Sequence, residues 1–336
     1  MMDSFIYLSS LGRLSMEKEK RIMILAGGGG HTGYGYALAQ RLKGKAFMRF
    51  LVPEGDVLSR ERLSRFGTVD FLLKPRGPKT PASKFAQNLV RAFMNSMKKV
   101  SCEFNVVVST GSNFCIPPAL VARMKGVSLV NIESSVRFTR ASKTARILHL
   151  LSAITALQWQ EQKRLFEKGI VVGPLLPRPE VKPWNGGYIL VTGGTFGHKL
   201  LFDVLAESDL ENVVLQTGMV NPEPYKKKHP EWKVIEYSAK FHEVVAGADV
   251  VVTHFGSTIL EALVYRKPIV ALPNPEWTRT AGVEDAKYLA RKVNAVLVSE
   301  IGLAKLLDAI EEARTRKLPV FSDGAQRLAD IIFSLS

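Results

Sequence analysis

A histidine directly follows four glycines in the segment Gly27-Gly28-Gly29-Gly30-His31-Thr32-Gly33, and an apolar run precedes it. A glycine-rich turn at the start of a helix lets backbone N–H groups approach an anion closely, because no Cβ intervenes. The positive end of such a helix also favours a neutral, proton-accepting imidazole. His31 is therefore the candidate general base for a hydroxyl nucleophile; the alternative is a first-turn residue facing water. Glu133, in Val130-Asn131-Ile132-Glu133-Ser134-Ser135, ends another apolar run on the same predicted face. It could orient His31, bind acceptor hydroxyls or act as a base itself, or be a solvated carboxylate at a strand end.

The second half repeats the strand-then-glycine idea without the histidine. Gly193-Gly194-Thr195 follows the apolar run 188–192, Gln216-Thr217-Gly218 follows 212–216, and His254-Phe255-Gly256-Ser257-Thr258 follows 249–253. Turns of small residues that open helices are ready diphosphate sites, and Glu261, one turn into the last helix, could accept from a ribose hydroxyl. For any one loop the competing account is a helix cap at Ser257 or Thr258. Three such loops in order favour a nucleotide site, where His254 suits a phosphate contact or a structural hydrogen bond better than catalysis. The template G-x-G-x-x-G fits Gly28 to Gly33, with Glu54 and Asp56 roughly 20 residues later, so spacing alone leaves a nicotinamide open. The elaborated second half counts against it. There is no lysine-bearing P-loop and no His/Cys/carboxylate cluster at metal-ligand spacing, so neither a cofactor nor a metal is expected.

The elements that must position these residues alternate. Strand-like runs lie at 21–26, 47–52, 69–73, 106–109, 128–132, 154–157 and 170–172, with helical patterns at 34–42, 82–100 and 142–151. After a break at 174–187 holding four prolines and two glycines, strands are predicted at 188–191, 212–216, 233–235, 249–253, 268–272 and 295–298. Helices are predicted at 199–206, 240–246, 258–265 and 284–292, and a last amphipathic stretch, 325–335, either finishes the second domain or crosses back onto the first. Near-continuous Val/Ile/Leu strands alternating with helices predict an α/β protein with parallel sheets covered on both faces. The expected domains are residues 1–178 and 187–336, with ligands beyond the carboxyl ends of the strands.

Charge divides along the same line. Residues 1–185 hold 29 Lys and Arg against 12 Asp and Glu, net +17; the remainder holds 17 against 19, net −2. A basic domain could meet nucleic acid, an anionic membrane surface or an anionic substrate, or simply be solvated. Arg137, Arg140, Lys143 and Arg146 beside Ile147-Leu148-His149-Leu150-Leu151 suit an anionic membrane surface, and Lys74, Arg76 and Lys79 could add to it. No apolar run approaches the roughly 18 to 20 residues of a membrane span. The segment from Phe5 to Leu14 lacks the features of a signal peptide, and Met16 is a possible natural start. Cys102 and Cys115 fit ordinary reduced thiols.

Taken together, these motifs resemble the GT-B glycosyltransferases, and specifically the eukaryotic two-subunit enzyme that adds the second N-acetylglucosamine to dolichol-diphosphate-linked N-acetylglucosamine, as if both subunits were fused. The first half resembles the acceptor subunit through Gly28 to Gly33, Ser109-Thr110-Gly111 with Pro117-Pro118-Ala119, Ile132-Glu133-Ser134 with Arg137, and Gln158-Trp159 before Gly173. The second resembles the donor subunit through 191–195, 216–218 and 248–257 with Glu261 and Lys267-Pro268. The resemblance implies two Rossmann-like domains facing across a cleft, with UDP-N-acetylglucosamine in the second and a polyprenyl-diphosphate-linked sugar at the first. It implies metal-independent inverting transfer at the cytoplasmic membrane face by a peripheral enzyme, with His31 as base, no nucleic acid and room for a homo-oligomer. The sequence departs from the family in two places: the acceptor subunit's membrane-spanning helix is missing, and Ala281-Gly282-Val283-Glu284 stands where the donor side has a His-Gln pair. A lipid-linked exopolysaccharide glucuronosyltransferase, a soluble UDP-sugar 2-epimerase and a non-catalytic sugar-nucleotide-binding subunit share parts of the pattern.

Overall fold

The computed structural model describes residues 19–77, 80–238, 240–274 and 282–335. The segment from Phe5 to Leu14, Met16, Lys79 and Ala281 lie outside the described residues. The chain folds around two parallel sheets. The first contains β1 (Lys20–Leu25), β2 (Ala46–Pro53), β3 (Thr68–Leu72), β4 (Val106–Ser109), β5 (Ser128–Ile132), β6 (Ile154–Leu157) and β7 (Ile170–Val171), in the order β3-β2-β1-β4-β5-β6-β7. The second contains β8 (Tyr188–Thr192), β9 (Val213–Gln216), β10 (Lys233–Ile235), β11 (Ala248–His254), β12 (Ile269–Leu272) and β13 (Val296–Leu297), in the order β10-β9-β8-β11-β12-β13. Counted from its own first strand, the second sheet has the order of the first without the seventh strand. Each sheet thus reverses direction between its first and fourth strands, at β1/β4 and at β8/β11, and a ligand crevice opens beyond the carboxyl ends at such a point.

Helices α1 (Gly30–Leu42), α2 (Val57–Ser64), α3 (Ala82–Lys99), α4 (Ile116–Met124) and α5 (Lys143–His149) belong to the first sheet. The period-two alternation of β1 assigns its layers: Met23 and Leu25 pack with Val100, Ala119, Val121 and Leu148, whereas Ile22 and Ile24 pack with α1. The second sheet carries α6 (Lys199–Leu205), α7 (Glu223–Lys228), α8 (Phe241–Gly247), α9 (Ser257–Val264), α10 (Val283–Val293) and α11 (Leu303–Thr315). The elements named from the sequence are present with ends displaced by a few residues. The periodicity did not give α2, α4, α7 and α11, and α1 starts inside the glycine-rich turn rather than after it.

The last helix, α12 (Gly324–Ser334), crosses back and packs on α1. Arg41 of α1, nearly buried, pairs with Asp323 at 3.0 Å, and Lys20 Nζ donates to the Phe333 carbonyl at 2.8 Å. A Cβ on Gly324 would lie 2.4 Å from the Gly173 carbonyl oxygen, so only glycine permits this approach. The proline-rich segment between the sheets is pinned at both ends. Gln158 Oε1 accepts from the Leu175 amide at 3.0 Å, and the Gly186 amide donates to the Gly247 carbonyl at 2.8 Å.

Candidate active site

On the first sheet the chain leaves β1 through Gly28 and Gly29, both at positive φ, and enters α1 at Gly30. No side chain caps this helix; the His31 and Thr32 amides turn back to the Gly28 and Gly29 carbonyls at 3.3 and 3.0 Å. His31 is the second residue of the helix. Its Nδ1 lies 2.7 Å from the carbonyl oxygen of Thr110, the residue after β4. A carbonyl only accepts, so Nδ1 carries the proton and Nε2 is the basic nitrogen. Gly111, at φ 99°, makes the contact possible: a Cβ there would stand 2.9 Å from the imidazole. Burial lowers the His31 pKa from 6.5 to about 4; the Thr110 bond opposes this, and the charges of Lys74 and Arg137 add to it. Lys74 donates to the Gly27 carbonyl at 3.2 Å. Asp56, of interest for a nicotinamide, instead caps α2 by accepting from the Ser59 amide at 3.0 Å.

Glu133 has a different part. It is fully buried, with Oε1 accepting from the Ser134 amide at 2.7 Å and Oε2 from the Ser142 amide at 2.9 Å. Desolvation raises its pKa, and those two amides and Arg137 work against the rise. The geometry makes Glu133 a clamp for the loop between β5 and α5 rather than a base exposed in the crevice. The strand-end position could not reveal this, because the partners are main-chain groups of a loop.

On the second sheet the three predicted loops converge. Gly193, Gly194 and Thr195 follow β8, Gln216, Thr217 and Gly218 follow β9, and the loop from His254 to Thr258 follows β11; β8 lies between the other two. The Met219 amide donates to the Thr195 carbonyl at 3.1 Å, and Gly218, at φ 60°, could not carry a Cβ without meeting the Gly194 oxygen at 2.5 Å. Gln216 and Thr217 are buried and hold the loop from below: Gln216 bonds Thr192 and the Glu236 carbonyl, and the Thr217 amide bonds the Ile235 carbonyl. His254 fits between Gly194 and Gly256, each within 3.3 Å of its ring if extended by a Cβ. Burial, then the nearby His198, lowers its pKa to about 4, so it offers a neutral hydrogen-bonding group. Gly256 is the N-cap of α9 and no side chain caps that helix either; Phe255, Ser257 and Thr258 frame its start. Neither Ser257 nor Thr258 acts as the cap considered from the sequence.

The two glycine-rich helix starts meet. A Cβ on Gly30 of α1 would lie 3.3 Å from Ser257 of α9, which places the first turn carrying His31 against the loop following β11. Glu261 of α9 pairs across the cleft with Arg62 of α2 at 3.2 Å. On α10, buried Asp285 accepts from the Phe138 and Thr139 amides at 2.8 and 2.6 Å, while Phe138 stacks on Tyr288. Arg62 and Asp285 were missed from the sequence, since neither follows a glycine-rich turn and their partners are distant in the chain.

A third feature is the outer surface of the layer α3-α4-α5, of which the part at 143–151 was read from the sequence and the part on α3 and α4 was missed. Val90, Met94 and Met97 recur at helical spacing on α3 and are exposed, Met94 by 61%, as are Met124, Ile147 and, by 84%, Leu150. Exposed Lys84, Arg91, Lys98, Arg123, Lys143 and Arg146 lie on the same helices. The spacing in 82–99 was a readable signal. Among the described residues no helix is long and apolar enough to cross a membrane.

Comparison with known proteins agrees with this architecture. Residues 188–331 match the model of the glycosyltransferase family 28 C-terminal domain. The UDP-N-acetylglucosamine--N-acetylmuramyl-(pentapeptide) pyrophosphoryl-undecaprenol N-acetylglucosamine transferase of Salinibacter ruber is 27% identical over 275 residues, covering 70% of this chain and 72% of its own. MurG of Acinetobacter baumannii superimposes with a TM-score of 0.63 at 19% identity, over 94% of this chain and 99% of its own. The UDP-GlcNAc 2-epimerase of Methanocaldococcus jannaschii also gives 0.63, at 15% identity over 93% and 99%. The curated relatives are bacterial transferases and do not support the expected fusion of two eukaryotic subunits. Residues 188–331 are thus similar to the glycosyltransferase family 28 C-terminal domain, and together with the first sheet they complete two parallel-sheet, Rossmann-like domains with the GT-B fold.

Proposed function

We propose that the protein transfers N-acetylglucosamine from UDP-N-acetylglucosamine to a polyprenyl-diphosphate-linked sugar, working as a peripheral enzyme at the cytoplasmic face of a membrane. The observation that carries this reading is the meeting of two uncapped helix starts, one per domain, with His31 in the first turn of one and Ser257 in the first turn of the other. The positive ends of the two helix dipoles, free of side-chain caps, suit the diphosphates of donor and acceptor. His31 Nε2 takes the proton from the acceptor hydroxyl as its oxygen bonds to C1 of the donor sugar. The bond from C1 to the UDP oxygen breaks on the opposite face, and UDP leaves as an anion held by Gly193 to Thr195, Gln216 to Gly218 and the loop from His254 to Thr258. Backside attack inverts C1. In this reading no metal is needed, and a chelator leaves turnover intact.

The exposed apolar residues of α3, α4 and α5 among lysines and arginines support docking on an anionic membrane surface, where such a lipid acceptor resides. Relatives named for an undecaprenol-linked muramyl acceptor favour a bacterial-type polyprenol over dolichol. The test is transfer of labelled sugar from a panel of UDP-sugars, including UDP-glucuronic acid, to undecaprenyl- and dolichyl-diphosphate sugars. Label in the lipid fraction with native protein and its loss in His31→Ala, with UDP binding retained, is the expected result. Label appearing only as a free sugar would favour the 2-epimerase reading instead.

A further inference from the structure

Arg62 reaches from α2 of the first domain to Glu261 of α9 in the second. Nη1 and Nη2 are each 3.2 Å from Oε1, so the guanidinium engages one carboxylate oxygen and leaves the other side of the group to different partners. The Glu261 side chain is 13% exposed and that of Arg62 34%. The guanidinium also lies 4.2 Å from the centroid of the buried Tyr36 ring, and the Tyr36 hydroxyl donates to Glu180. Helix α2 is fixed in turn. Asp56 caps it, and Ser59 Oγ lies 2.7 Å from Thr32 Oγ1, in the first turn of α1 beside His31. A continuous set of contacts therefore runs from the turn carrying the base, through α2, to a carboxylate of the nucleotide-binding domain.

Ion pairs at a protein surface contribute little, because solvent screens them and two long side chains must be ordered. This pair differs on both counts: the carboxylate is largely buried, and the guanidinium is already held by stacking on a ring that is itself fixed. We propose that Arg62 is a positioning residue for the donor, orienting Glu261 toward the ribose hydroxyls and making their recognition depend on contact between the two domains. The proposal rests on the reading of Glu261 as the ribose ligand. A carboxylate aligned before the nucleotide arrives loses less freedom when it binds. By reciprocity, the bound nucleotide favours the domain contact by the same factor.

The test is calorimetric titration of the full chain with UDP and with 2′,3′-dideoxy-UDP, in native protein, Arg62→Ala, Arg62→Lys, Glu261→Gln and the Arg62→Ala/Glu261→Gln double variant. Native protein is expected to prefer UDP. Arg62→Ala is expected to weaken UDP binding about five- to twentyfold, within the usual range of coupling between sites, with little change for the dideoxy compound. Arg62→Lys recovers part of the loss as a single point charge, and the double variant is no weaker than Glu261→Gln. If Glu261→Gln removes the preference for UDP while Arg62→Ala keeps it, the positioning role is overturned and the ribose assignment stands. Equal weakening of both ligands by Arg62→Ala, with an unchanged preference, overturns it in favour of a merely structural pair. A native protein without any preference overturns the ribose assignment itself, and the proposal with it.

Discussion

His31 holds its Nδ1 2.7 Å from the carbonyl oxygen of Thr110, and this one bond sets both the tautomer and the direction of the basic nitrogen. With its pKa lowered from 6.5 to about 4, the imidazole stays neutral well into the acid range. The acid limb of kcat/KM, which reports the free enzyme, is expected below pH 5 rather than near 6.5. Stability runs the other way: between 6.5 and about 4 the unfolded chain binds protons at His31 and His254 that the folded one refuses, so stability is lost as pH falls through that window. Initial rates and denaturant midpoints across pH 4 to 8 check both. An acid limb centred at 6.5 would remove the depressed imidazole as the base.

Gly111→Ala should damage catalysis without touching a reacting atom. The residue has φ 99°, and its new Cβ would sit 2.9 Å from the His31 ring. Moving the imidazole off the Thr110 carbonyl is expected to lower kcat by about 100-fold or more, with UDP affinity unchanged. Wild-type kcat in this variant would show that the bond does not orient the base.

Asp285→Ala removes the acceptor for the Phe138 and Thr139 amides and the Thr139 hydroxyl at a buried contact between the domains. Loss of bonds to a charged group, with amides left unpaired, is expected to cost about 3 kcal/mol. Asp285→Asn, which keeps one acceptor, should cost less. Equal denaturant midpoints for native and Asp285→Ala proteins would contradict a stabilising role for these bonds.

Met94→Asp and Leu150→Asp place charge on the exposed surface of α3 and α5. Each buried apolar side chain of this size is worth about 1.5 to 3 kcal/mol, so partition onto anionic vesicles should fall at least tenfold for each. Turnover with a short-chain soluble acceptor should not change. High salt should weaken attachment of native protein through the neighbouring lysines and arginines. Vesicle binding that survives both substitutions and high salt would move the docking surface elsewhere.

The sheets were legible because buried parallel strands are written as unbroken apolar runs; 106–109, 128–132 and 154–157 match β4, β5 and β6 residue for residue. Helix α2 was not, because Val57 to Ser64 carries few apolar residues and is held by caps and ion pairs rather than by an apolar face. With α2 went Arg62. The three loops of the second sheet could be read from small residues after strands, and the structure brings them together around β8. Glu133 was placed correctly at a strand end, yet its burial depended on amides of a loop that no local pattern encodes. The glycine-rich turn after β1 was read as longer than it is, since glycine at Gly30 and Gly33 does not prevent the helix from starting there.

Two stretches of chain cross between the domains, 172–187 on the way out and the segment before α12 on the way back, the latter anchored by the Arg41–Asp323 pair. A single tether would let the second domain swivel freely. A double one confines it to opening and closing like a door on two pins, so that whatever parts Ser257 from Gly30 must also bring them back in the same register.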